Sequence, residues 1–200
     1  MAEFITGNRY LTADEQKVNA RYICDYLSAR GWTLNAIAGL LGNMQTESTI
    51  NPGIWQSLNE GNTSGGYGLV QWTPATKYLN WCVQKGIEAS HMDSALERLE
   101  YELENGLQYY KTSAYPISFR QFKTSTKSPE YLGQAFMRNY ERPANQSTTA
   151  RGQQALAWYE YLTGAAWEGA SSDSTSNETN TPTKKKMSLL MLILAAKRKV

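Results

Sequence analysis

One glutamate stands where the chain could perform acid chemistry. Glu47 lies at the end of an apolar, helix-patterned segment that runs into the turn sequence Asn51-Pro-Gly53. Further along, the chain is dense in glycine, glutamine and aromatic residues, in Gly65-Gly-Tyr-Gly-Leu-Val-Gln-Trp-Thr-Pro74. A carboxyl group at a helix end can act as a general acid, and a loop rich in Gly, Gln and Trp offers hydrogen-bonding and aromatic groups near it.

The position of Glu47 favours the protonated form of its carboxyl group. Hydrolysis of a glycosidic bond needs a proton donor at the leaving oxygen. Partial burial beside an apolar helix disfavours a charged carboxylate, and the negative end of the helix dipole opposes a further negative charge. The same position would equally suit a solvated glutamate that merely ends a helix. Position alone leaves both interpretations open.

Other catalytic chemistries have little support in the composition. The chain has two cysteines, Cys24 and Cys82, and one histidine, His91. A zinc site usually draws on several His or Cys ligands, so neither a metal nor a cofactor is expected. Cys82 and His91 could form a thiol–imidazole pair, but the apolar helical run around Cys82 favours a buried structural thiol. A Cys24–Cys82 disulfide stays an alternative without local support.

The charge balance argues against a general polyanion-binding protein, so no nucleic-acid partner is expected. The 200 residues carry a formal net charge of +2, and 12% of them are aromatic. Residues 1–164 hold fourteen basic and fifteen acidic residues, whereas residues 184–200 hold six basic ones. The amino terminus has neither a basic segment nor a long apolar segment, so no signal peptide is expected.

Helical patterning predicts a mainly α domain over residues 1–164. Thr12-Ala-Asp-Glu15 has the pattern of a capping box, which begins a helix. Thr73-Pro74 and Ser128-Pro129 are predicted to begin two further helices, because proline suits the first helical position. Strand signals are confined to residues 63–72, where a small hairpin is expected.

A predicted helix over residues 34–46 carries Glu47 at its end. It is rich in small residues, with Ala36, Ala38, Gly39 and Gly42 among the larger apolar side chains. Small residues let neighbouring backbones approach closely, so this helix is expected to be central in the fold.

Three motifs occur in order along the chain. They are Gly42-Asn-Met-Gln-Thr-Glu-Ser-Thr-Ile-Asn-Pro-Gly53, Gly66-Tyr-Gly-Leu-Val-Gln-Trp-Thr-Pro74, and Tyr140-Glu-Arg-Pro-Ala-Asn145 with Arg151. Together they resemble the motifs of the phage tail lysozyme family, whose fold is related to goose-type lysozymes and lytic transglycosylases. The resemblance covers residues 8–163. It implies a lysozyme-like helical domain with a small hairpin or loop beside the cleft, and it implies that Glu47 is the catalytic acid.

Residues of the second and third motifs have the chemistry to bind a sugar. Gln71 can both donate and accept hydrogen bonds, which suits N-acetyl and hydroxyl groups or an attacking water. Gly66 and Gly68 would let the backbone approach a sugar closely. The aromatic side chains that could stack on sugar faces, with core packing as the general alternative, are Trp55, Tyr67, Trp72 and Tyr140.

A second carboxylate is harder to assign. An inverting hydrolase needs a base about 6.5–9.5 Å from the acid, and a retaining one needs a nucleophile about 5–5.5 Å away. Glu60, on the loop between the first two motifs, and Glu141 are the candidates. Glu141-Arg-Pro143 could instead supply an Arg–carboxylate pair that braces the cleft. Related folds often work with a single Glu, and the family likeness favours hydrolysis over lytic transglycosylation.

The carboxyl-terminal segments differ in composition from the rest. Residues 165–183 are rich in Ser, Thr and Asn and predict a flexible linker. Residues 184–200 form a basic-apolar-basic tail whose apolar stretch, at 1.5 Å per residue, is about 15 Å long as a helix. The bilayer core is about 30 Å thick, so the tail is not expected to span it. It could lie on an anionic membrane surface or dock on another virion protein.

The sequence as a whole predicts a muramidase that cleaves the MurNAc–GlcNAc backbone of bacterial peptidoglycan. The expected location is the virion, at the phage tail tip, with other tail proteins as partners. The missing signal peptide fits this setting, and it equally fits an endolysin released through a holin. The alternatives are a wall-binding tail protein without catalysis and a membrane-active protein that acts through its tail.

Overall fold

Seven α-helices account for about half of residues 3–164, which are the residues that this computed structural model describes. They are α1 (Ala13–Ser28), α2 (Leu34–Ser48), α3 (Thr76–Lys85), α4 (Met92–Glu104), α5 (Phe119–Lys123), α6 (Pro129–Phe136) and α7 (Ala150–Leu162). A 3₁₀ turn (Gln56–Leu58) follows α2, and a π turn (Met137–Glu141) continues α6. The predicted mainly α fold is confirmed.

Two of the predicted helix starts are present with their capping side chains. In the capping box of α1, the Glu15 backbone N–H donates to Thr12 Oγ1 at 3.4 Å, and the Thr12 N–H donates to Glu15 Oε2 at 2.9 Å. Helix α6 begins with Ser128, whose Oγ accepts the Tyr131 N–H at 3.3 Å, and with Pro129 in the first turn. These side chains satisfy backbone donors that the first turn of a helix leaves unpaired.

The predicted start of α3 is wrong by two residues. Ala75 occupies the N-cap position, and the Thr73-Pro74 peptide bond is cis. Thr73 does not cap the helix, because its hydroxyl donates to the Gln71 carbonyl at 2.8 Å. The Ala75 N–H donates to the Gly65 carbonyl at 2.8 Å. The Thr-Pro pair therefore closes the glycine-rich loop, and α3 begins after it.

Helix α2 is the central helix of the fold, as its small residues predicted. Residues 36–44 are all buried. A Cβ atom on Gly39 would lie 2.9 Å from Leu132 Cβ on α6, and one on Gly42 would lie 2.5 Å from the Arg151 carbonyl oxygen on α7. Contacts that short leave no room for a side chain, so the two glycines let α6 and α7 pack directly against the α2 backbone.

The glycine-rich segment is a tight loop. Tyr67 forms isolated antiparallel bridges with Trp55 and Trp72, and these replace the expected hairpin. The chain reverses between Tyr67 and Trp72 because Gly68 and Gln71 both adopt left-handed backbone conformations, with φ of 78° and 48°. This loop lies against the end of α2, where Glu47 is located.

The other expectations concern the cysteines, the histidine and the tail. Cys24 and Cys82 are both free thiols and Cys82 is buried, so the alternative of a disulfide between them is wrong. His91 Nδ1 accepts the Asp93 N–H at 3.2 Å and caps α4. No helix within residues 3–164 is both long and apolar enough to cross a bilayer. The predicted linker and basic tail, residues 165–200, lie outside the described residues.

Candidate active site

A cleft of about 760 Å³ opens beside the end of α2. Its walls bring together residues of all three sequence motifs, namely Glu47, Gln71 with Trp72, and Tyr140 with Glu141. The motifs are far apart in the chain, and the packing of α2 against α6 and α7 brings the first and third close together. The cleft is therefore built at the meeting point of the segments that the sequence analysis selected.

The position of Glu47 is fixed by the way α2 ends. Ser48, the last residue of the helix, is buried, and its hydroxyl donates to the Leu69 carbonyl at 2.8 Å. Thr49 and Ile50 then adopt left-handed conformations, with φ of 53° and 57°, which is uncommon for residues other than glycine. The helix end is thereby attached to the glycine-rich loop, and Glu47 faces the cleft between them.

Gln71 is held by the backbone of its own loop. Its Nε2 donates to the carbonyls of Gly68 and Ile54 at 3.1 and 3.3 Å. A Cβ atom on Gly66 would lie 2.9 Å from Gln71 Oε1, and one on Gly68 would lie 3.3 Å from the Pro52 carbonyl oxygen. The glycines therefore make room for neighbouring protein atoms, whereas the sequence predicted that they would make room for a sugar.

Glu47 forms an ion pair with Arg151, the second residue of α7. Arg151 Nη2 donates to Glu47 Oε1 at 2.6 Å. The guanidinium also contacts Asn43 Oδ1 through Nη1 at 3.2 Å, and only 7% of the Arg151 side chain is exposed. A buried guanidinium at this distance stabilises the carboxylate form of Glu47, against the helix dipole. The Glu47 side chain is still 21% exposed, so it remains accessible from the cleft.

The Glu141-Arg-Pro143 motif does not supply the Arg–carboxylate pair that was expected from it. That pair is formed by Arg151 and Glu47. Arg142 lies in a left-handed conformation, and its Nη1 donates to the carbonyls of Gln108 and Asn139 at 2.6 and 2.8 Å. The brace of the cleft joins Arg151 to Glu47. Arg142 instead ties the π turn to the segment that follows α4.

Glu141 ends the π turn and lines the same cleft. Its Oε1 atom is shielded from solvent and has no hydrogen-bond partner among the described residues. Burial raises the pKa of the Glu141 carboxyl well above its ordinary value, and the negative charge of Glu47 raises it further, while Arg151 opposes the shift. Glu141 therefore favours the protonated form in the cleft.

Most of the aromatic side chains predicted to bind sugar are buried in the core. Trp72 stacks on Tyr78 with ring centroids 4.3 Å apart, and Tyr140 stacks on Phe136 at 4.5 Å. Both are buried residues at the cleft wall, whereas Trp55 is half-buried there. In Trp72 and Tyr140 at least one ring face is therefore used for packing within the protein.

Four predicted residues do not line the cleft, and besides Gly66 and Gly68 they are Tyr67 and Glu60. Tyr67 is buried, and its ring packs against Trp55 at 4.7 Å between centroids. Glu60 is exposed on the loop after the 3₁₀ turn. Of the two candidates for a second carboxylate, the structure therefore brings Glu141 to the cleft and leaves Glu60 outside it.

Comparisons with known proteins identify the family of this chain. A family model described as phage tail lysozyme matches residues 18–162. The chain belongs to the phage tail lysozyme family. It is also 54% identical over 166 residues to Morphogenesis protein 1 of Bacillus phage B103. That match covers 83% of this chain and 45% of the relative, so the chain spans about half the length of the protein that it resembles.

The family assignment supports the description of this chain as a phage-associated, lysozyme-like protein. The matched residues include Glu47, the glycine-rich loop, the π turn and Arg151. Within residues 3–164, no group of three or more His, Cys, Asp or Glu side chains is placed to hold a metal ion. The cleft of this phage tail lysozyme is lined by the carboxyl groups of Glu47 and Glu141.

One residue of the lysozyme cleft, Glu102 on α4, was missed by the sequence analysis. Its buried carboxylate accepts hydrogen bonds from Trp72 Nε1 at 3.0 Å, from Arg98 Nε at 2.9 Å, and from the Tyr140 hydroxyl. Burial raises the pKa of Glu102, and its hydrogen bond from Tyr140 and the charge of Arg98 oppose that shift. Glu102 thereby holds together the side chains that adjoin Gln71 and Glu141.

A signal for Glu102 is present in the sequence. Ala95, Leu99 and Glu102 follow one another at spacings of four and three residues, which places them on one face of a helix. A glutamate in phase with an apolar face is expected to be buried, and buried carboxylates need partners. The side chains that became its partners could not be read from the local pattern.

Proposed function

We propose that this domain cleaves the MurNAc–GlcNAc backbone of bacterial peptidoglycan, with Glu47 as the general acid. The observation that carries the proposal is the placement of Glu47 at the base of a polar cleft, beside a second carboxyl group, in a chain of the phage tail lysozyme family. A proton delivered to the glycosidic oxygen converts it to a leaving group, and a carboxyl group can supply that proton.

The lining of the cleft suits an uncharged sugar chain. Trp55 offers a half-buried aromatic surface, and Gln71, whose Nε2 is held by two backbone carbonyls, keeps an amide oxygen that can accept a hydrogen bond. Pyranose rings present apolar faces that pack on aromatic rings and hydroxyl groups that bind amides. Trp72 and Tyr140 line the same cleft but are only 5% and 1% exposed, so Trp55 is the aromatic side chain proposed to stack on a sugar.

The proposed setting is a phage tail, where the enzyme opens the host wall for delivery of the genome. The family name and the name of the relative from phage B103 both support a role in a virion. The proposed substrate is then the bacterial cell wall, and other tail proteins are the proposed partners. Release as an endolysin is the alternative setting for the same chemistry.

Digestion of purified cell wall by the wild type and by Glu47→Gln tests the proposal. The variant keeps the size of the side chain and removes the transferable proton, so we expect digestion to fall by at least about 100-fold. Mass spectrometry of the released muropeptides identifies the reaction. Reducing muramic ends are expected for hydrolysis, and anhydromuramic ends would indicate transglycosylation instead.

The same experiment separates catalysis from wall binding. If the wild type releases no muropeptides, or if Glu47→Gln releases them at the wild-type rate, the enzymatic proposal is wrong. Co-sedimentation of each protein with intact wall provides the control, because loss of catalysis should leave binding in place. The exposed Glu160 on α7 offers a matched Glu→Gln substitution for which full activity is expected.

A further inference from the structure

The ion pair between Arg151 and Glu47 opposes the protonation that Glu47 needs to act as a general acid. A general acid must be protonated when the substrate is bound, yet Arg151 Nη2 lies 2.6 Å from Glu47 Oε1 and stabilises the carboxylate. The guanidinium also donates to Asn43 and is nearly excluded from solvent, so these contacts hold it against Glu47. The ion pair with Arg151 is a contact that the carboxylate form of Glu47 makes.

Glu141 is the neighbouring group that can hold the missing proton. It lines the same cleft, and its Oε1 is buried without a hydrogen-bond partner among residues 3–164. A buried carboxylate oxygen without a donor is costly, whereas a neutral carboxyl group in the same place is tolerated. Unsatisfied buried polar atoms of this kind are rare and often mark catalytic sites.

The charged groups around Glu141 also favour its neutral form. The groups that face it are Glu47 from α2, Glu102 from α4 and Arg151 from α7, with Arg142 from its own turn. Both glutamates disfavour ionisation of Glu141, and both arginines favour it. Arg142 donates to the backbone carbonyls of Gln108 and Asn139, so Arg151 is the arginine that forms an ion pair with a carboxyl group of this pair. Two carboxyl groups with one paired guanidinium are best satisfied with one shared proton.

We propose that Glu47 and Glu141 share a single proton, that Glu141 holds it in the free enzyme, and that it passes to Glu47 for glycosidic cleavage. This inference rests on the proposed function. Glu141 is then a positioning residue, because it acts on the substrate through Glu47. Like-charged neighbours that share one proton are a known arrangement among carboxyl groups in enzymes.

In the proposed reaction, each proton that the carboxyl pair gives up is replaced by one from water. The O–H bond of Glu141 breaks as one forms on Glu47, and Arg151 now faces the newly charged Glu141. Glu47 donates this proton to the glycosidic oxygen as the bond from C1 to that oxygen breaks, and the bonding electrons stay on the oxygen. Water adds hydroxide to C1, and its remaining proton returns to the carboxyl pair. The pair thus begins and ends each turnover with one proton.

The pH dependence of Glu141→Gln tests this inference. In the variant, Glu47 must take its proton from solvent while Arg151 opposes protonation, so kcat near neutral pH is expected to fall about tenfold or more. Acidification should restore much of the loss, because it protonates Glu47 directly. The alkaline limb of the pH profile of kcat is therefore expected to move to lower pH, while KM changes little.

Two matched variants complete the design. Glu141→Asp retains a carboxyl group, so its alkaline limb should stay closer to that of the wild type. Glu160→Gln carries the same chemical change at an exposed site and should have the wild-type profile. If Glu141→Gln does not fold, Arg151→Met serves instead, since loss of the guanidinium should move the alkaline limb to higher pH.

The outcomes separate this inference from the proposed function. A wild type that cleaves no glycan, or a fully active Glu47→Gln, would overturn both. If Glu47→Gln is inactive but Glu141→Gln keeps the wild-type profile, only the shared proton is refuted. It is also refuted if Glu141→Gln loses the same fraction of kcat at every pH, or if Arg151→Met leaves the limb in place.

Discussion

Two glutamates in the cleft have the same chemistry and different surroundings. Glu47 is partly exposed and contacts a guanidinium, whereas Glu141 has a shielded oxygen and faces other carboxyl groups. Such a difference in surroundings can give two acids different roles. The burial of the Glu141 carboxyl group also predicts how the free energy of unfolding depends on pH.

Glu141→Gln is expected to stabilise the domain above about pH 4.5, and the gain should grow as the pH rises. Burial, and next the charge of Glu47, raise the pKa of Glu141 well above its ordinary value of 4.5. Between these two values the folded state binds more protons than the unfolded state, so native stability falls with rising pH. The variant avoids this loss, which is at most about 1.4 kcal/mol for each pH unit. Urea unfolding over a series of pH values measures the difference.

The exposed Glu160→Gln substitution is the control for this measurement. Its difference from the wild type should stay near zero throughout the range. A gain for Glu141→Gln that is equal at every pH would indicate improved packing, and the predicted titration of Glu141 would then be wrong.

At the residue scale the sequence was informative about side chains inside motifs. Glu47, Gln71 and Glu141 were selected from their local patterns, and the structure brings all three to one cleft. The partners of these residues were less accessible. Arg151 was part of a motif, but its contact with Glu47 depends on how α7 packs on α2, which no local spacing encodes.

At the scale of elements, the contact between α2 and α7 determines where the guanidinium of Arg151 lies. Gly42 lies opposite the first turns of α7, where a Cβ atom would approach the Arg151 carbonyl oxygen to 2.5 Å and the Ala155 nitrogen to 2.7 Å. Both neighbours are backbone atoms, so neither can move without shifting the helix. The absence of a side chain at Gly42 thereby sets the separation of the two helices.

Gly42→Ala is expected to destabilise the domain by about 3 kcal/mol, because the added methyl group overpacks a backbone contact. It should also lower the rate of wall digestion, since a displaced α7 moves Arg151 away from Glu47. Urea unfolding and the digestion assay measure the two effects.

Gln153→Ala, at an exposed position of α7, is the matched control and should change neither quantity by much. A Gly42→Ala protein with wild-type stability would show that α7 can move at little cost. The close approach would then not be what positions the ion pair.

Local sequence signals predicted the positions of the helices better than they predicted the structure of the glycine-rich loop. Capping residues and small residues correctly predicted α1, α6 and the central place of α2, because these signals act within a few residues. The start of α3 was misplaced, since Thr73-Pro74 has the local pattern of a helix start but is used to close the glycine-rich loop. That use depends on the Gly65 carbonyl, which the fold brings to Ala75.

At the scale of the whole molecule, every group of the proposed reaction lies within residues 3–164. Glu47, Gln71, Glu102, Glu141 and Arg151 are all supplied by this part of the chain. The basic residues concentrated in positions 184–200 lie outside that range. The sequence therefore suggests that glycan cleavage and any attraction to an anionic surface are separable.

A chain that ends at Gly164 is therefore expected to digest purified wall at the wild-type rate and to lose binding to anionic vesicles. Six Lys and Arg residues flank the apolar stretch of the tail, and each contributes about 1 kcal/mol of attraction near an anionic membrane. Sedimentation with phosphatidylglycerol vesicles, and with neutral phosphatidylcholine vesicles as the control, measures this binding. If the full chain binds neither kind of vesicle, the tail is not a membrane-surface segment, and docking on another virion protein becomes the better explanation. If truncation instead abolishes digestion of purified wall, the tail contributes to the catalytic unit and the two activities are not separable.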